Sequence, residues 1–199
     1  MVVVDHGAGN LGSVARALGR AGADAFLTSD PQRVAAARRL VLPGDGHFGE
    51  AMTALRQRGL EEPVRRAAER GAWLLGICVG LQMLFEESEE APGVSGLGLL
   101  PGRVRRFDGS LRVPHIGWNQ LEDIGGTPLF DGIPEGGYAY FLHSFHADPD
   151  NPAHRLAVTD YGVRFASAAG KDRILGIQFH PEKSARLGAA VLRNYLRLS

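Results

Sequence analysis

The sequence predicts an α/β protein: a mainly parallel sheet flanked by helices, with antiparallel strands added in the second half. Two observations predict it. In the first half, short apolar runs alternate with helical patterns. From about residue 104 onward, strand-like runs follow one another with few helical stretches between them. Strands that alternate with helices imply right-handed crossovers and parallel pairing.

Val2 to Val4 reads as a buried strand, followed by a Gly-rich turn and a helix from about Ser13 to Ala21. Ala25 to Thr28 is a second strand, and Leu40-Val41-Leu42 a third, cut off by Pro43-Gly44. Helices follow from about Gly49 to Gln57 and from about Glu62 to Arg70. The second carries Pro63 in its first turn, where a missing N–H costs nothing. Trp73 to Ile77 is a fourth strand and Leu81 to Ser88 a helix. Val104 to Phe107, Tyr138 to Leu142, Leu156 to Thr159, Phe165 to Ala168 and Ile174 to Phe179 are strand-like, and are expected at the sheet edge. A last amphipathic helix, about Ala185 to Arg197, places Leu187, Val191, Leu192 and Tyr195 on one face. No repeat, low-complexity segment or linker interrupts residues 1–199, so one domain is expected.

Composition narrows the function. Lys+Arg and Asp+Glu are both 22, so the formal net charge is zero and no nucleic-acid partner is expected. The pairs Arg38-Arg39, Arg65-Arg66 and Arg105-Arg106 read as solvated faces balanced by nearby acids. Gly is 27 of 199 residues, about twice the usual ~7%, which points to tight turns or backbone close to a ligand. One cysteine, Cys78, excludes an internal disulfide and a Cys-based zinc site. No run approaches the ~20 apolar residues of a membrane span, and the N-terminus lacks a signal-peptide pattern. The chain reads as soluble and cytoplasmic, with no membrane contact.

Two motifs compete for the chemistry. Gly7-Ala8-Gly9-Asn10-Leu11-Gly12 fits G-x-G-x-x-G between a strand and a helix, and Asp30 lies 18 residues past Gly12, near where a ribose-binding acid would sit. That segment alone is either a dinucleotide site or a plain Gly-rich turn. Gly76-Ile77-Cys78-Val79-Gly80 is the more specific signal: the thiol form of the nucleophile elbow, a turn so tight that the positions two before and two after the nucleophile need glycine. Such a thiol stands at the C-terminal sheet edge, where open α/β folds bind ligands, and at a helix start that favours thiolate. The bland alternative is a buried structural cysteine.

A cysteine nucleophile needs a base and the base an orienting group. His180 ends a strand and is followed by Pro181-Glu182, so Glu182 can hold one imidazole nitrogen while the other faces Cys78. The oxyanion hole needs the Val79 N–H and a second donor, for which the turn Pro43-Gly44-Asp45-Gly46 fits. His143-x-x-His146 has metal-ligand spacing but no evident further ligand, so no metal is expected.

Gly76 to Gln82, together with His180-Pro181-Glu182-Lys183-Ser184, resembles the class I (triad) glutamine amidotransferases over essentially the whole chain. Asp5 to Leu11, Leu42 to Gly49, Glu86 to Glu90, Gly117-Trp118-Asn119 and Tyr138 to Ser144 resemble a member that passes ammonia to a separate (β/α)8-barrel cyclase subunit. The resemblance turns Gly7 to Gly12 into a loop facing the partner. It implies Cys78 as nucleophile, His180 as base and acid, and Glu182 as orienter. Val79 N–H with Gly44-Asp45 would be the oxyanion hole. Gly46, Gln82, Glu90, His143, Ser144 and Phe145 would hold glutamine, with Glu90 on the α-ammonium. Asn10, Trp118, Asn119, Tyr138 and Lys183 would meet the partner, Trp118 and Tyr138 having core packing as their alternative. No cofactor is implied. Two departures from the family pattern stand out: His6 replaces a usual Tyr, and Asp45 an uncharged residue. Rival readings are a triad glutaminase serving anthranilate, carbamoyl phosphate or pyridoxal phosphate synthesis, and a non-catalytic binding module of the same fold.

Overall fold

The central sheet begins with β1 (Val2–Val4), entirely buried, and α1 (Leu11–Arg20) returns the chain across it. This structure is a computed structural model describing residues 1–7, 9–109, 111–125 and 127–199; Ala8 of the Gly7–Gly12 segment lies outside the described residues. Strand β2 (Phe26–Thr28) leads into a short helix, α2 (Pro31–Ala36), absent from the sequence reading. Its N-cap is Asp30, whose carboxylate accepts from the Gln32 and Arg33 N–H groups. The acid proposed for a ribose is therefore used to start a helix.

Strand β3 (Arg39–Gly44) runs through Pro43-Gly44 instead of stopping before them. Helices α3 (Phe48–Gln57) and α4 (Glu61–Glu69) follow, then β4 (Trp73–Cys78). The next helix, α5 (Val79–Met83), starts two residues before the expected position and ends early, because the chain turns into a short strand, β5 (Glu87–Ser88). Strands β6 (Gly102–Arg106), β7 (His115–Leu121), β8 (Gly137–His143), β9 (Phe145–Pro149), β10 (Arg155–Asp160), β11 (Arg164–Lys171) and β12 (Ile174–Ile177) complete the second half, before α6 (Ala185–Arg197).

The strand order is β2-β1-β3-β4-β12-β11-β9-β6-β5, with β10 paired to β11. Pairing is parallel from β2 through β12 and antiparallel at β12–β11, β11–β9 and β9–β6. The expected mixture is present, with two corrections: β12, expected at the antiparallel edge, lies inside the sheet and runs parallel to β4, and β8 does not join the sheet edge. It pairs with β7 in a separate two-stranded ribbon, from Leu121 opposite Gly137 to His115 opposite His143. Helix α6 covers the sheet through buried Val191, Leu192 and Tyr195, and the Tyr195 hydroxyl donates to Leu40 O at 2.6 Å and Trp73 O at 3.0 Å. Two of the arginine pairs meet acids as expected: Arg65 and Arg66 face Glu61 and Glu62, and Arg105 meets Asp148. The Arg38-Arg39 pair departs from that reading: Arg39 is half-buried and its guanidinium donates to the Tyr195 and Leu198 carbonyls.

Candidate active site

Strand β4 delivers Cys78 into a backbone conformation that side chains avoid, φ 55° and ψ −114°. Non-glycine residues persist there only where the surroundings enforce it. Here the enforcement is steric. A Cβ on Gly76 would sit 2.5 Å from Gly80 O, and one on Gly80 1.9 Å from Leu42 O. The elbow closes because both flanking positions lack side chains.

Strand β12 lies directly beside β4, with Ile177 opposite Ile77. Two residues beyond that strand's next position, His180 caps a turn of 3-10 helix, Pro181–Lys183. Its backbone is tied at both ends: the N–H donates to Tyr140 O at 2.9 Å and the C=O accepts from Ser184 Oγ at 2.7 Å. The ring Nδ1 donates to Glu182 Oε1 at 2.9 Å, with both side chains buried. The other nitrogen, Nε2, is buried without a hydrogen bond of standard geometry. Burial alone would lower the basicity of His180, but the neighbouring Cys78 sulfur and the Glu182 carboxylate outweigh it and push the pKa up to about 10.

Gly44 of β3 stands in register with Cys78, so the Gly44–Asp45 peptide adjoins the elbow. Asp45 is exposed, which keeps its charge in water, and Gly46 adopts φ 73°. Beneath this strand end His6 is fully buried, with Nε2 donating to Pro43 O at 2.7 Å. Burial lowers its pKa, so the ring is neutral.

A cavity of about 300 Å³ opens over Cys78. Among the residues expected to hold glutamine, Gly46, Gln82, Glu90, His143, Ser144 and Phe145 all line it, together with Asp45 and Val79. Three of these side chains have prior engagements, His143 through its Nδ1, which donates to Phe145 O at 2.8 Å. Glu90 accepts the Phe48 N–H at 2.7 Å, and Gln82 Nε2 donates to Phe145 O at 3.0 Å and Gln178 Oε1 at 3.2 Å. The five residues expected at a partner surface separate. Asn10 and Lys183 line the cavity itself. Trp118 and Tyr138 are 52% and 55% exposed on the β7–β8 ribbon beside exposed Ile116, so they are not core aromatics. Asn119 is half-buried on the inner face, donating to Asp160 O at 2.9 Å.

Sequence reasoning missed Gln178 and His115. Gln178 is fully buried and its Nε2 lies 3.8 Å from Cys78 Sγ. Its signal was a lone amide inside the apolar run 174–179. His115, His143 and His146 form a buried cluster around Phe107. Among the described residues no group of three or more His, Cys, Asp or Glu could hold a metal ion.

Burial pushes the pKa of His143 down to about 3 and that of His115 to about 4 from an ordinary 6.5. The unfolded chain binds protons first, so the stability these neutral rings contribute is complete above pH 6.5 and is lost as pH falls towards their folded values. His143 alone should cost roughly 3 kcal/mol at pH 4. Urea unfolding is expected to show a clear drop in midpoint from pH 7 to pH 4. A constant midpoint would mean that water reaches and solvates these rings.

The profile of the family "glutamine amidotransferase class-I" matches residues 2–197. The imidazole glycerol phosphate synthase subunit HisH of Deinococcus radiodurans is 49% identical over 199 residues, covering 99% of this chain and 93% of that protein. The protein of the same name from Methanothermobacter thermautotrophicus is 48% identical over 198 residues, covering 100% and 98%. Among solved structures, a crystal structure of glutamine amidotransferase matches with TM-score 0.78 at 23% identity, over 98% of this chain and 96% of that one. PurLQS from Thermotoga maritima matches with TM-score 0.75 at 19% identity, over 98% and 96%; both are likenesses of fold. A profile match along nearly the whole sequence, with relatives close to half identical over full length, places this chain in the class-I glutamine amidotransferase family.

Proposed function

We propose that residues 1–199 act as one glutaminase domain, the ammonia-producing subunit of an imidazole glycerol phosphate synthase heterodimer. One observation carries the chemistry: Cys78 ends β4, and the His180–Glu182 pair follows β12, the parallel strand beside it. The Cys78 thiolate attacks the side-chain carboxamide carbon of glutamine. The oxyanion that forms is met by the Val79 N–H and the Gly44–Asp45 peptide. His180 gives its proton to the departing nitrogen, releasing ammonia and leaving a thioester. It then takes a proton from water, whose oxygen attacks the thioester; the carbon–sulfur bond breaks, glutamate is released, and the Cys78 thiolate and protonated His180 are regenerated. Glu182 holds Nδ1 throughout, so Nε2 is the working nitrogen. Glu90 faces the α-ammonium of the substrate.

The acceptor is a (β/α)8-barrel cyclase subunit that uses the ammonia to make imidazole glycerol phosphate and an aminoimidazole carboxamide ribonucleotide. Full-length relatives named as subunits of imidazole glycerol phosphate synthase support this choice over the other synthases. The exposed apolar face of the β7–β8 ribbon, with Trp118 opposite Tyr140, suits a docking surface. No helix among the described residues is long and apolar enough to cross a membrane.

The test is reconstitution. The purified chain is titrated into the cyclase subunit, and glutamine-dependent formation of imidazole glycerol phosphate is followed. Glutamine should replace added ammonia at a one-to-one ratio. Trp118→Ala should move the titration about 30-fold to higher concentration, the worth of ~2 kcal/mol for a central aromatic, with an unchanged melting temperature. A complex that uses ammonia but never glutamine would reject the assignment.

A further inference from the structure

Behind the cavity wall, donor and acceptor chemistry together with the burial of His115 and His143 sets the hydrogen-bond directions. Phe145 C=O can only accept, so His143 Nδ1, 2.8 Å away, carries the proton. Neutral His143 then offers Nε2 as an acceptor, and His115 Nδ1, 3.1 Å away, must donate to it. This leaves His115 Nε2 as an acceptor, met by Asn119 Nδ2 at 3.3 Å. The second amide hydrogen of Asn119 goes to Asp160 O at 2.9 Å, and its oxygen accepts the Gln120 N–H at 2.8 Å. One proton arrangement satisfies every member. The depth of burial, which keeps both rings uncharged, supports it.

The same Phe145 carbonyl is held from the cavity side by Gln82, which also binds Gln178, whose amide reaches Cys78 Sγ at 3.8 Å. A continuous chain of polar contacts therefore runs from the sulfur to strand β7. His115 cannot swing out of it, because its ring is stacked between Phe141, at 5.0 Å and 20°, and Tyr161, at 4.0 Å and 23°. Asn119 thus belongs to the inner side of the strand that displays Trp118 on its outer side.

We propose that His115 and Asn119 are positioning residues for the glutamine site: through His143 they hold the Phe145 carbonyl, and with it the Ser144–Phe145 wall, in place across the cavity from Cys78. This rests on the reading of residues 143 to 145 as part of that site. A wall contacts substrate and transition state alike, so its displacement shows in KM and not in kcat.

Two crossed variants in the assembled synthase separate hydrogen bonding from stacking. His115→Phe keeps an aromatic ring between Phe141 and Tyr161 but breaks the chain. His115→Gln loses the ring but retains a donor for His143 and an acceptor for Asn119. The Phe variant should raise the glutamine KM about tenfold, the value of one buried hydrogen bond, with kcat within about threefold. Asn119→Leu should act in the same direction, and the Gln variant should hold KM near wild type. If the Phe variant keeps the wild-type KM while the Gln variant loses it, stacking is the cause and the proposal fails. Imidazole nitrogen NMR of the unmutated chain tests the relay without relying on variants. His115 and His143 should both be neutral Nδ1–H tautomers, and an Nε2–H tautomer at either would overturn it. An unmutated complex inert towards glutamine would reject the glutaminase reading, while the nitrogen spectra would still decide the relay.

Discussion

Cys78→Ser is expected to lower glutamine hydrolysis by roughly 10⁴- to 10⁶-fold, the cost of removing a nucleophile from a catalytic unit. The residue has no spare role to retain activity. Its sulfur is the only thiol in the chain. His180 Nε2 is buried without a hydrogen-bond partner, and the turn proposed for the oxyanion, Gly44–Asp45, is registered against this one position. Serine changes the volume little and inherits the same φ of 55°, so the elbow already built by Gly76 and Gly80 should still close. The variant should therefore melt near the wild type, bind the cyclase normally, and allow the complex to run on supplied ammonia. Steady-state glutaminase assays and an ammonia-dependent cyclase assay on the same preparation check all of this. Retained glutamine turnover would place the nucleophile elsewhere.

The second large effect concerns control. The free chain should hydrolyse glutamine at least ~100-fold more slowly than the complex with its second substrate bound, with most of the change in kcat. The basis is the Gly44–Asp45 peptide. It sits beside Cys78 at a strand end, joining Gly44 to an exposed Asp45, and Gly46 at φ 73° follows. Glycines on both sides of Asp45 let a peptide unit there rotate between two orientations. A single missing oxyanion donor costs about 10² to 10³ in kcat, or ~2.7–4 kcal/mol, so a partner contact need supply only that difference. The donor acts on the transition state, which leaves KM less affected. Equal rates for the free chain and the liganded complex would end this account.

Much of the fold was legible because its signals are local. The β4 elbow reads from two glycines around one cysteine, and α6 from an uninterrupted helical period whose limits, Ala185 and Arg197, the structure reproduces. Helix α2 was not legible: six residues with one buried apolar side chain, Val34, carry no period. Strand β7 was hidden for a different reason. Over residues 115–119 its outward residues are apolar, Ile116 and Trp118, and its inward His115 and Asn119 polar, the reverse of the usual surface strand; only Gln120 and Leu121 follow the ordinary pattern. Strand β9 carries His146 and Asp148 and ends in Pro149, so no apolar run announces it. The roles of Gln178 and His115 in the site depend on strands brought together from distant parts of the chain, and no spacing rule contains that information.

The adjacency of β4 and β12 has a consequence in time. Cys78 and His180 are 102 residues apart in sequence, yet their strands are direct neighbours. Synthesis at ~5–20 residues per second leaves an interval of roughly 5 to 20 s in which the thiol exists and His180, the base proposed for it, does not. During that interval β4 has an open edge on the side β12 will fill. A growing chain can thus hold the first four strands and their helices without spending any glutamine, and its chemistry begins only when the last strand of the sheet slides into the gap.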